Sequence, residues 1–103
     1  MLGRQLDGGA ATLDLLPAVL AAVNGGIPVL VEGGVRRGAS VVKALAPGAQ
    51  AVLVGRATLY GAVAAGGSGA QRALVILRNE IERAMRLCGV TRVADIDGGL
   101  LAP

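Results

Sequence analysis

Two glycine–arginine elements, Gly33-Gly34-Val35-Arg36-Arg37-Gly38 and Gly55-Arg56, are the residues of this chain best suited to chemistry. Glycine lets backbone N–H groups come close to an anion, and arginine adds a forked, permanently charged donor. Each element follows a short apolar run, Ile27-Pro28-Val29-Leu30-Val31 and Ala51-Val52-Leu53-Val54, and a helix-sized segment separates the two. Two consecutive βα units with parallel strands would bring both loops to one end of a sheet, where they could grip a single phosphate from two sides. Phosphate in α/β barrels is usually held in this way, by the loops after the last two strands. The first element is not a Walker loop, since no Gly-Lys-Ser/Thr follows, and it is not a dinucleotide G-x-G-x-x-G. Either element alone would pass for an ordinary βα turn; it is the pair that points to phosphate.

The elements that must position these loops are legible on either side. Residues 1 to 11 read as a loop. Thr12 or Asp14 can cap a helix to about Val23, with Pro17 placed in its first turn, and Asn24-Gly25-Gly26 stops it. The run at 27–32 is apolar on both faces, as a buried parallel strand requires, and a second strand is expected near 51–55. Between them a short helix spans Ser40 to about Ala46 and ends at Pro47-Gly48. Ser68 and Gln71 have capping-box spacing. Leu74, Leu77, Ile81, Ala84 and Cys88 then recur at three- and four-residue steps, which predicts an amphipathic helix over 68–88 packed on the strands. Cys88 reads as a small core hydrophobe. One more helical turn is expected within 91–96.

Composition bounds the rest. The chain has 103 residues and one aromatic, Tyr60, so its core volume must come from Val, Leu, Ile and Ala. A net charge of +3 without a basic run or a stacking platform argues against nucleic acid. One cysteine and no histidine exclude an internal disulfide and the usual Cys/His zinc sites. No stretch is long and apolar enough to span a bilayer and no signal-peptide core is evident, so no membrane partner and a cytoplasmic location are expected.

Taken in order, the residues carry a resemblance. Gly3-Arg4-Gln5-Leu6-Asp7, Ile27-Pro28-Val29, Gly33 to Gly38, Lys43-Ala44-Leu45, Gly48-Ala49, Val54-Gly55-Arg56 and Glu82-x-Ala84-Met85-x-Leu87-x-Gly89 follow one another across almost the whole chain. The series resembles the C-terminal part of the FMN-dependent α-hydroxy-acid dehydrogenases and oxidases, the lactate and glycolate oxidase family. The Gly-Arg-Gln-Leu-Asp element and the end of the last helix distinguish it from other FMN barrels. The resemblance implies an α/β fold that is a C-terminal fragment of a (β/α)8 barrel, with two parallel strands and about three helices. Residues 1–103 would then form the last quarter of the family domain.

The resemblance also implies roles. Arg4 matches the arginine that holds the substrate carboxylate. Gly33, Gly34 and Arg36 match one FMN phosphate loop, and Gly55 with Arg56 the other. Glu32 stands where the family usually has an aspartate beside the flavin ribityl chain. The family's catalytic base is a histidine that falls at Met1, and no histidine occurs elsewhere in these residues. The implied chemistry is oxidation of an L-2-hydroxy acid to the 2-oxo acid with FMN as electron acceptor, and this chain alone is expected to be inactive. The alternatives are a non-enzymatic phosphate- or FMN-binding module and a barrel remnant without activity. Two strands leave both sheet edges unpaired, which also predicts self-association.

Overall fold

The computed structural model describes residues 8–102. Its elements run α1 (Thr12–Val23), β1 (Leu30–Glu32), α2 (Gly38–Leu45), β2 (Ala51–Leu53) and α3 (Arg56–Leu87), followed by 3₁₀ turns at Val93–Asp95 and Gly98–Leu100. β1 and β2 pair in parallel with Leu30 opposite Ala51, Val31 opposite Val52 and Glu32 opposite Leu53. The two expected βα units are therefore present and share one direction, with shorter strands than the apolar runs predict.

The sheet is covered on one face. Val31 is fully buried, and with Leu16, Val29, Ala44 and Ala49 it forms a core between α1, β1 and α2. Strand side chains alternate, so Leu30 and Leu53 fall on the opposite face, where they are 43% and 50% exposed. Burying a Val or Leu completely contributes about 1.5–3 kcal/mol. Among the described residues only Leu16 and Val31 are large side chains buried to that degree. That is a thin core for an independent domain.

α1 begins one residue before the expected caps: Ala11 is the N-cap and offers no side-chain bond, and Thr12 is already helical. Pro17 consequently lies in the second turn. Its ring removes the bond to the Leu13 carbonyl, and the helix is held through Leu16 and its neighbours rather than by local capping. Asn24 ends α1 in the left-handed conformation, with its N–H on the Leu20 carbonyl.

α3 departs furthest from expectation. It starts directly after Gly55 and contains a break at Ala65 (φ −153°, ψ 28°) and Gly66 (φ 62°, ψ −145°), so residues 56–64 and 67–87 are two helical arms. The arms meet at Gly61 and Gly69, where a Cβ on either glycine would overlap the other's backbone carbonyl. Ser68 does not form a capping box; its hydroxyl donates to the Ala65 carbonyl at 3.0 Å, within the break. The long arm packs mainly on α2 rather than on the strands, through a second core of Val42, Ala46, Met85 and Ile96. Leu77 is buried and Leu74 is half exposed, facing an open apolar cleft of about 550 Å³ between α3 and β2. Cys88 is exposed, since it follows the last helical turn instead of facing α2.

Candidate functional site at the strand ends

Parallel register decides where the glycine–arginine elements lie. Glu32 and Leu53 are partners at the carboxyl ends of their strands, so the chain leaves both strands at the same edge and enters α2 and α3 from there. After β1, Gly33 and Gly34 adopt φ of 108° and 71°, which residues with a Cβ rarely accept. Val35 then turns inward and is buried, anchoring the loop. Arg36 remains exposed, and Arg37 is the N-cap of α2, with extended backbone and no capping bond from its own side chain.

After β2, Gly55 is the N-cap of α3 and Arg56 its first residue. The Gly55 carbonyl accepts the first helical bond from the Leu59 N–H at 3.0 Å and a second from the Thr58 hydroxyl at 2.9 Å. The opening N–H groups of a helix have no acceptor within it, so this end of α3 presents donors and the positive end of its dipole. Gly55 has a negative φ of −118°, and a Cβ built on it, or on Gly34, would meet nothing within 4 Å. Packing therefore does not demand glycine at position 55. The open space beside both backbones is what close approach by a phosphate requires, and in this respect the residues fit an FMN phosphate. Arg36 and Arg56 take part in no ion pair among the described residues. Glu32 is half buried at the end of β1 and shares the bare sheet face with Leu30.

Four of the expected cofactor residues thus form the two loops as runs after β1 (Gly33, Gly34, Arg36) and β2 (Gly55), with Arg56 opening α3 and Glu32 closing β1. Met1 and Arg4 lie outside the described residues. The large apolar cleft beside β2 contains none of these groups, being lined by such residues as Val52, Val54, Leu74 and Ile81.

The sequence did not point to Glu80. From the long arm of α3 its carboxylate accepts the Arg37 Nε–H at 2.8 and 3.0 Å and the Gly38 N–H at 3.0 Å. The Gly38 N–H above all, and then the Arg37 guanidinium, hold the Glu80 carboxyl below its ordinary value of 4.5. Forty-two residues separate Gly38 from Glu80, so no local spacing could have signalled the contact. Among the described residues no cluster of His, Cys, Asp and Glu suited to a metal occurs, and no helix is long and apolar enough to cross a membrane.

Known proteins share this sequence pattern and this fold. The family model described as FMN-dependent dehydrogenase matches residues 2–103. An L-lactate oxidase from Nostoc sp. is 50% identical over 99 residues, which is 96% of this chain and 27% of the relative. A peroxisomal (S)-2-hydroxyacid oxidase from Arabidopsis thaliana is 51% identical over 94 residues, 91% of this chain and 26% of its own length. A soluble mutant of the membrane-associated (S)-mandelate dehydrogenase from Pseudomonas putida superposes with a TM-score of 0.89 at 40% identity, over 96% of this chain and 28% of that structure. The chain thus spans about a quarter of the length of these relatives, at 26–28%.

Proposed function

The chain belongs to the FMN-dependent dehydrogenase family, and on that premise we propose that it supplies the phosphate-holding end of an FMN site used to oxidise 2-hydroxy acids. The observation that carries this reading is the parallel pairing of β1 with β2, which delivers Gly33-Gly34-Val35-Arg36 and Gly55-Arg56 to one edge of the sheet. In this reading the N–H groups at the start of α3 and around Gly34 donate to the phosphate oxygens. Arg36 and Arg56 neutralise their charge, and Glu32 faces the polar chain between phosphate and flavin. When bound, FMN supplies the two-electron acceptor for the substrate. Arg4 would hold the substrate carboxylate as a bidentate fork.

These residues do not by themselves carry out the oxidation. The family's proton-abstracting base is a histidine, and the 103 residues contain none. Binding without turnover is therefore the activity assigned to the isolated chain. The bare face with Leu30 and Leu53, together with the free strand edges, is where the further strands of the barrel would pack. Without them, those edges favour self-association.

Titration of the purified chain with FMN tests the reading. Binding should be weak, should fall with added salt because charge drives much of it, and should drop about tenfold or more in Arg36→Ala and Arg56→Ala, the scale of a lost charge-assisted hydrogen bond. Unchanged affinity in both variants would remove the strand-end loops as the phosphate site.

A further inference from the structure

We infer that Glu80 is a positioning residue for the first loop: its carboxylate serves as the built-in anion at the start of α2 and holds Arg37 in the fold, leaving Arg36, of the two adjacent arginines, to meet a phosphate. The inference deepens the proposed function and rests on that reading only for the role of Arg36.

Four observations carry it. The start of α2 has no local cap, because Arg37 makes no side-chain capping bond to its own helix. The acceptor for the Gly38 N–H comes instead from Glu80, whose side chain is only 19% exposed. The approach is close enough to require glycine, since a Cβ on Gly38 would lie 2.5 Å from the Glu80 Cβ. Finally, the same carboxylate takes the Arg37 Nε–H with both oxygens.

The electrostatic consequence is an asymmetry between the two helix starts. At the N-terminus of α2 the Gly38 donor is already taken by a fixed carboxylate, while the start of α3 at Gly55-Arg56 keeps its donors. A phosphate entering the strand-end loops is thereby steered toward Gly34, Arg36 and Gly55, away from Gly38. The charged groups facing Glu80 are Arg37 from the loop and Arg83 from its own helix.

Nuclear magnetic resonance on the labelled 103-residue chain tests this without relying on catalysis. The Gly38 amide and Arg37 Nε–H signals should move together through one acid transition below 4.5, and that transition should vanish in Glu80→Gln, which keeps the side-chain shape. Inorganic phosphate should shift Gly34 and Gly55 in the parent chain and leave Gly38 unmoved; in Glu80→Gln the Gly38 amide should begin to respond. Arg37→Ala, which removes an exposed partner of the carboxylate, should move the denaturation midpoint only slightly and change phosphate affinity less than about threefold, against about tenfold for Arg36→Ala. Signals of Gly38 and Arg37 that ignore Glu80 titration would overturn the inference, as would a parent Gly38 amide that follows phosphate. If phosphate moves neither Gly34 nor Gly55 while the acid transition is present, the phosphate-loop reading falls and the Glu80 clamp stands.

Discussion

The Glu80 carboxylate lies 3.0 Å from the backbone nitrogen of Gly38 and joins the start of α2 to the middle of the long arm of α3. The contact exists because position 38 has no side chain: the α2 backbone comes so near Glu80 and Ile81 that a Cβ would collide with both. Arg37 adds to the same carboxylate, but its side chain is 77% exposed, and exposed ion pairs contribute little on their own. The backbone bond and the close crossing are therefore the parts that fix α2 against α3.

Gly38→Ala should consequently destabilise the fold by about 1–3 kcal/mol, the cost of forcing an extra methyl into a packed contact. Urea denaturation followed by circular dichroism measures it. A midpoint equal to that of the parent chain would mean the helices part at no cost.

Acid should weaken this same junction. The Gly38 N–H and the Arg37 guanidinium lower the folded-state value of Glu80 below its ordinary 4.5. A group with a depressed folded value stabilises above its unfolded value and loses that contribution as pH falls through the folded one. Stability should thus be flat in this term above pH 4.5 and decline below it. Glu80→Gln should show a lower plateau and a shallower acid decline; identical pH profiles for the two proteins would count against the assignment.

The break in α3 gives a separate test. Gly66 sits at φ 62°, ψ −145°, a region almost confined to glycine, where other residues cost about 1–3 kcal/mol. Gly66→Ala should be destabilising on that scale. Gly67→Ala is the control, since a Cβ there meets nothing within 4 Å and no positive φ is involved; it should be neutral or slightly stabilising. Equal effects of the two substitutions would mean that residues 65 and 66 do not form a break in solution.

How much of this was legible in the sequence follows from how local each signal is. The parallel pair, α2 and the two glycine–arginine loops could be read because each is encoded by a contiguous run: apolar residues, then glycines, then Pro47 as a stop. The first arm of α3 was missed because Ala57 to Ala64 is a weakly patterned stretch with Gly61 inside it, and glycine lowers helix propensity. Its glycine is needed for the approach of Gly69, which is a tertiary reason. Ser68 and Gln71 have the right spacing for a capping box, yet the helical arm is already under way at Gly67, so the hydroxyl turns back to Ala65. That Gly33 to Arg37 and Gly55 lie in loops at the strand ends was readable from residue type and spacing. Glu80, which organises one of those loops from 42 residues away, was not.

The last prediction concerns turnover. The chain alone should not oxidise lactate, glycolate or mandelate, even with saturating FMN. A positioned base typically contributes roughly 10²–10⁴-fold, and no histidine is present to act as one. Orientation of the reacting groups can matter still more than the base, and these residues match about a quarter of the length of their relatives, 27% for the Nostoc L-lactate oxidase. On the proposed reading the strand-end loops take the phosphate of a flavin, but the bare face beyond Leu30 and Leu53 offers no second wall against its ring. Fusing the chain behind the preceding βα units of a family member, with the histidine loop restored, should return bound flavin and hydroxy-acid oxidation together. The assay is anaerobic bleaching of FMN absorbance by the hydroxy acid, run on the chain and on the fusion side by side. Bleaching by the 103-residue chain itself would show that the loops and arginines suffice, and the division of labour proposed for them would have to be abandoned.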